Sequence, residues 1–397
     1  MSTTTDKLLL VKTILSNPQL IKVNPSINMF LIKYMQKFNI QNVGGRLVLH
    51  SHLPPINSPA FSRFIDEHLL AKTEGPSHAQ VGITNVCPQN CAYCYNKNRA
   101  GKIIDKNTIK GVIRDLKDMG VIWLGLTGGE PLLNKDIVEI VAAIGDDCAV
   151  KMFTGGYNLT PELASDLKEA GLFYVSISLD HWLEKKHDKI RRCKGSFGIA
   201  LKAIDIFKEI GGIHIGVSTV LPRSMLHTGQ VEEFIQFLIK AGVHEAWLSE
   251  VKPAIAPLWD ENIIITDEER ISLIKLQDRY NKQGQITINY LGHFESEDHF
   301  GCNAGHKMVY IDAFGEVSPC VFSPITFGNV NDDSLKILFK EMKKHFPSDN
   351  NCFVNANYKL FARYYNGQLP IGKADTLKMM NEVQFRSMSE FFRLYYK

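Results

Sequence analysis

The chain is 397 residues long, 45% hydrophobic and 22% charged, with a formal net charge of +3. This is an ordinary globular balance. It shows no basic run interleaved with aromatics that would mark nucleic-acid binding, and no stretch near the ~20 apolar residues of a membrane span. Lys12 interrupts Leu8-Leu9-Leu10-Val11 and no small-residue cleavage site follows, so a cytoplasmic protein without a signal peptide is expected. Eight cysteines in so long a chain point to metal binding or catalysis, not to a disulfide framework.

Residues 1–75 read as an N-terminal helical extension and linker. Leu20, Ile21, Ile27, Phe30, Leu31 and Met35 suit one or two short amphipathic helices. These either pack on the main domain or, as the weaker alternative, touch a membrane surface. The proline-rich stretch 53–59 reads as an extended linker.

Residues 76–260 alternate. Strand-like apolar runs fall at 79–83, 121–126, 149–153, 173–179, 213–220 and 244–248. Between them lie helical periodicities. One starts at the cap Asp105 and stops at Gly120, and one starts at Thr160-Pro161 and stops at Gly171. A third runs from Ser196 to Gly211-Gly212, and a fourth carries Val231, Phe234, Ile235 and Leu238 before Gly242. Such alternation makes a parallel sheet with crossover helices. Six repeats predict an α/β fold, a partial (β/α)6 TIM-like barrel, although periodicity alone also permits a doubly wound open sheet. In barrels, functional groups gather on the loops after the strands.

In residues 261–397 the pattern changes. Thr266-Asp-Glu-Glu269 is a capping box that opens a helix. Residues 307–312 and 316–320 alternate around Phe314-Gly315 as a hairpin, and Phe391-Phe392-Arg393-Leu394-Tyr395-Tyr396 reads as a final amphipathic helix.

Three thiols in Cys87-Pro-Gln-Asn-Cys91-Ala-Tyr-Cys94, just after a strand, can hold three irons of a [4Fe–4S] cluster and leave the fourth open. A zinc site wants a fourth Cys or His close by, and none follows before Cys148. This spacing, with Tyr93 before the last cysteine, resembles the radical S-adenosylmethionine (SAM) superfamily. The resemblance extends to Thr127-Gly128-Gly129-Glu130-Pro131, to Ser178 and Asp180 at the end of the fourth strand, and to His187-Asp188-Lys-Ile-Arg191 followed by Gly195-Ser196-Phe197. Arg192 stands where many relatives have glycine. The resemblance implies that Cys87, Cys91 and Cys94 hold a [4Fe–4S] cluster bound to SAM. It places Tyr93, Gly128, Gly129, Glu130, Ser178, Asp180 and Arg191 around SAM, with Arg191 on its carboxylate and glycine backbone near its amino group. Val217, Thr219 and Leu221 either line the adenine or pack the core.

Gly301-Cys302 … Gly315 … Pro319-Cys320 … Phe327-Gly-Asn-Val330 resembles the SPASM or twitch extension of radical SAM maturases. It implies a C-terminal twitch-type β-hairpin plus helix holding an auxiliary Fe–S cluster on Cys302, Cys320 and Cys352. A full SPASM domain would offer further cysteines, so the fourth ligand is open, with His306 and His345 as candidates.

The implied function is a radical SAM enzyme. Reductive cleavage of SAM gives a 5′-deoxyadenosyl radical that abstracts hydrogen from a substrate, in peptide or protein maturation. The alternatives are small-metabolite, tetrapyrrole or lipid biosynthesis, and, from another class, a non-catalytic Fe–S redox or scaffold protein. Implied partners are a peptide, protein or small-molecule substrate and a reductant such as a flavodoxin or ferredoxin, with no nucleic acid. No catalytic residue is assigned beyond Cys193, a candidate hydrogen-atom donor whose alternative is an incidental loop residue. Asp180-His181-Trp182 is a candidate substrate contact, and Cys148 reads as a buried core thiol.

Overall fold

The computed structural model describes residues 15–397, so the apolar run 8–11 lies outside the described residues. A small antiparallel hairpin, β1 (Gln41–Val43) and β2 (Arg46–Val48), precedes the main sheet. Its turn is Gly44-Gly45, both at positive φ, a conformation that favours glycine.

The six expected strands all form: β3 (His78–Gly82), β4 (Trp123–Thr127), β5 (Ala149–Thr154), β6 (Tyr174–Ser178), β7 (His214–Leu221) and β8 (Glu245–Glu250). They pair in parallel in sequence order. Two further parallel strands extend the sheet. β9 (Thr287–Tyr290) adds beside β8, and β10 (Met308–Ile311) adds beside β3, with the antiparallel β11 (Val317–Ser318) outside it. The hairpin is therefore part of the same nine-stranded sheet.

The sheet curls. Phe153 on β5 and Trp247 on β8 belong to strands separated by β6 and β7, yet their rings lie 5.3 Å apart. The helices between strands begin and end where their caps dictate. Asp105 accepts from Thr108 N ahead of helix Lys106–Asp118, and Thr160 does the same for Pro161–Glu169. Thr266 and Glu269 form the capping box of Asp267–Gln283. The apolar faces of these helices cover the outside of the sheet in one continuous core.

The N-terminal extension closes the end of the barrel where the strands start. Ser51 is buried, and Glu245 accepts from both its N–H (2.7 Å) and its hydroxyl (2.8 Å). Lys151 Nζ donates to the same hydroxyl at 2.7 Å, and Trp123 Nε1 donates to Ser51 O. The stretch expected to be an extended linker is folded onto this plug. Ile56 is buried and donates its N–H to Leu47 O, because Pro54, Pro55 and Ile56 are apolar and have the sheet end to cover. Cys148 is a buried core thiol, as expected.

Candidate active site and auxiliary thiol cluster

The loops after β3, β4, β5 and β6 meet over one cavity. Cys87, Cys91, Cys94, Gly128, Gly129, Glu130, Ser178 and Arg191 all line it. Burial pushes the Cys87 thiol up to about 12 and raises that of Cys91, so a metal that takes these sulfurs must displace their protons.

The glycines of the second loop have a steric reason of their own. A Cβ on Gly128 would sit 2.2 Å from Thr84 O, and one on Gly129 would sit 2.2 Å from Val86 O. Gly129 N and Glu130 N donate to those same carbonyls. The two glycines thus let the β4 loop lie directly against the stem of the cysteine loop. Glu130 is buried and accepts from Thr154 Oγ1, from Gly155 N at 2.7 Å and from Leu132 N at 3.1 Å. Burial nonetheless raises its pKa. It ties the β4 and β5 loops together at the cavity wall.

The segment after β6 works as a unit. His187 Nδ1 accepts from Asp180 N. Asp188 caps the next helix, accepting from Gly195 N, Ser196 Oγ and Phe197 N. Arg191 Nε lies 2.6 Å from Asp180 Oδ2, both side chains buried, while Arg191 Nη1 lies 3.4 Å from Gln89 Oε1 and 3.9 Å from Cys91 Sγ. Tyr93 donates its hydroxyl to Asp180 and lies under the guanidinium. Arg192, at the relatives' glycine position, is left-handed (φ 50°).

Other expectations land elsewhere. On β7 it is Ser218 and Val220 that face the cavity, whereas Val217 and Leu221 join the core and Thr219 is buried. Cys193 Sγ lies 3.1 Å from Tyr157 Oη, and neither residue lines the cavity. His181 stacks on Trp182, which packs against the core and not into the cavity.

Cys302, Cys320 and Cys352 share a second cavity with Glu295. Cys302 is bridged to Asp349, Cys320 follows β11, and Cys352 N-caps helix Phe353–Tyr364. All eight cysteines are free. Burial pushes Cys320 up to about 12 and Cys352 to about 11. His306 and His345 are not among the cavity's lining residues. His306 is held by Phe346 O and Tyr396 Oη, and His345 packs on Phe327.

The two cavities share Gln80, Trp247, Val321 and Phe322 as walls. Sequence reading missed the buried pair between them. Lys252 Nζ contacts Glu250 Oε1 (3.2 Å), Glu295 Oε2 (2.8 Å) and Cys352 Sγ (3.3 Å). Glu250 and Lys252 also line the first cavity. An isolated Glu-x-Lys reads as surface, so no sequence signal marked them.

Two sets of soft sulfur donors, each gathered in a cavity and the first beside a buried guanidinium, suit iron–sulfur clusters rather than hard-cation sites. The donor chemistry of the site points to the iron–sulfur class of proteins. The radical SAM superfamily model matches residues 81–239, and that of SPASM, an iron–sulfur cluster-binding domain, matches 302–355. The chain thus contains a radical SAM domain and a SPASM domain. It is an enzyme, and its cofactors are a [4Fe–4S] cluster with SAM and auxiliary Fe–S.

Among proteins it resembles, the AdoMet-dependent heme synthase of Methanosarcina barkeri is 24% identical over 68% of this chain and 84% of that protein. The mycofactocin maturase MftC of Mycolicibacterium smegmatis is 27% identical over 61% of this chain and 63% of that one. The PqqA peptide cyclase of Bradyrhizobium diazoefficiens is 27% identical over 63% and 68%. In fold, the chain resembles Streptococcus suis SuiB bound to S-adenosylmethionine. The TM-score is 0.56 at 16% identity, covering 75% of this chain and 78% of that one. It also resembles anSMEcpe with bound AdoMet, with a TM-score of 0.54 at 15% identity, covering 81% and 98%. Among the described residues no helix is long and apolar enough to cross a membrane.

Proposed function

We propose that this enzyme modifies a peptide or protein side chain, with Cys87, Cys91 and Cys94 holding the SAM-binding cluster and Cys302, Cys320 and Cys352 holding an auxiliary one. The observation that carries the reading is the shared wall. The cavity lined by the first three thiols is also lined by Val321 and Phe322, which line the second cavity too, and by Lys252, which contacts Cys352 of the second set. A substrate there lies between the two thiol sets. Held by these residues, a cluster with SAM would supply the radical chemistry needed to take hydrogen from an unactivated position.

The residues' part is orientation and exclusion of water. Arg191 presents a buried cation beside Cys91, suited to a carboxylate. Ser178 and Ser218 offer hydroxyls, Trp247 and Phe322 offer apolar faces, and Glu250 offers a buried carboxylate with one oxygen unpartnered. Gln80 adds an amide donor and acceptor for a peptide backbone, and Ser249 Oγ, whose proton goes to Thr219 O, adds an acceptor. Likeness to MftC, to the PqqA peptide cyclase and to the SuiB structure bound to precursor peptide SuiA supports a peptide substrate.

A second reading, tetrapyrrole chemistry, is favoured by the likeness to the heme synthase. The test is anaerobic reconstitution with SAM and dithionite, offering in turn a short peptide encoded beside the gene and a porphyrin precursor. The expected result is 5′-deoxyadenosine with a hydrogen-loss or cross-link mass change in the peptide. Turnover of the porphyrin precursor alone overturns the peptide reading.

A further inference from the structure

Three cysteines leave one corner of a cubane without a protein sulfur, and neither His306 nor His345 lines the cavity that would hold it. The wall offers another donor. Glu295 ends the short helix Leu291–Phe294, which directly follows β9, so the seventh parallel strand carries it to the end of the barrel where the other site loops gather. Its side chain is largely buried, at 13% exposure. It lines the same cavity as Cys302, Cys320 and Cys352. A buried carboxylate beside three buried thiols is costly unless a cation compensates it. Lys252 is that cation, with one ammonium touching both Glu295 Oε2 and Cys352 Sγ. Among the described residues two further unpartnered side-chain atoms belong to this wall, Asn303 Oδ1, an amide oxygen and a poor match for iron–sulfur iron, and His52 Nε2. His52 lies between the rings of Trp123 and Trp247, with its Nδ1 on Asn289.

We propose that Glu295 supplies the fourth protein ligand of the auxiliary cluster through a carboxylate oxygen, with Lys252 as the counter-cation that holds that carboxylate beside the thiols. The proposal rests on the reading that Cys302, Cys320 and Cys352 hold the cluster. Its consequence is specific: a cluster with four protein ligands leaves no iron for the substrate, so the substrate meets this part of the protein through side chains alone.

The experiment uses the full chain carrying Cys87, Cys91 and Cys94→Ala, reconstituted anaerobically with iron and sulfide, and read by iron content and by electron paramagnetic resonance after mild oxidation. This parent retains about four irons. Adding Glu295→Gln exposes one iron to loss, so the content falls to about three with a [3Fe–4S] signal, or to none. Adding Glu295→Cys instead keeps about four irons and gives no such signal, which also shows that the site folds. An unchanged count and spectrum in Glu295→Gln overturns the proposal. So does equal loss in Glu295→Gln and Glu295→Cys, or a [3Fe–4S] signal produced by His52→Gln and not by Glu295→Gln. Near-zero iron in the parent overturns the auxiliary-cluster reading itself, a result distinct from failure of Glu295 alone.

Discussion

Arg191 and Asp180 form a buried ion pair, with Nε 2.6 Å from Oδ2, and the same guanidinium reaches to 3.9 Å from Cys91 Sγ. Removing it strips Asp180 of its counter-ion. Arg191→Ala should cost about 3–5 kcal/mol in urea-midpoint measurements and bring 5′-deoxyadenosine yield to background. Arg191→Lys keeps the charge and loses the planar fork. It should recover most of the stability and little of the SAM cleavage, and full cleavage by the lysine variant would refute the orienting role.

Cys87→Ala, Cys91→Ala and Cys94→Ala together should remove about four irons per chain and abolish methionine and 5′-deoxyadenosine formation. The iron held by the auxiliary thiols should stay. Colorimetric iron analysis beside product chromatography checks both halves.

Gly128→Ala and Gly129→Ala each place a methyl group 2.2 Å from a carbonyl oxygen, and Gly128 sits at φ +130°. Each should destabilise the protein by about 3 kcal/mol and weaken SAM binding by displacing the cysteine-loop stem. Calorimetric titration with SAM, alongside unfolding curves, tests this. Unchanged values for both variants would show that the loops do not need that contact.

Arg99, just beyond the cysteine loop, pairs with Asp312 at 2.8 Å, each side chain 1% exposed, and donates to Ser323 O. This links the first site loop to the end of β10. Arg99→Met should cost about 3–5 kcal/mol, while Arg99→Met with Asp312→Asn should recover part of it. A double-mutant cycle without coupling would contradict the linkage.

Lys151 is fully buried in the barrel, and burial lowers its pKa to about 8 although Glu245 works in the opposite direction. The folded form therefore releases its proton more easily than the unfolded chain. Below about pH 8 both states are protonated and the penalty is in full. As pH rises from there toward the ordinary lysine range, the unfolded state binds more protons and stability should rise by on the order of 3 kcal/mol. Urea midpoints against pH should show this rise in the native chain and a much shallower one in Lys151→Met.

The core strands were legible because strands buried on both faces read as apolar runs. β9, Thr287–Tyr290, is only four residues of mixed polarity and left no such run. β10 showed as half of a hairpin because its antiparallel partner is local, whereas its parallel pairing with β3 joins residues far apart in sequence. On β7 both faces are covered, so a two-residue alternation could not tell Ser218 and Val220 from Thr219 and Leu221. The cysteine spacing and the Gly-Gly-Glu loop were visible as motifs. Glu250, Lys252 and Glu295 were not, since isolated charged residues take on meaning only when the fold brings them together.

The parallel docking of β10 on β3 bears on how this protein can be dissected. A fragment ending near residue 300 would keep every strand from β3 to β9, yet would bare the hydrogen-bonding edge of the strand that leads into Cys87. An uncovered edge of this kind recruits other chains. Attempts to obtain the SAM-cleaving half by itself should therefore yield aggregates, and soluble protein should require the C-terminal hairpin supplied in the same chain or added as a separate piece.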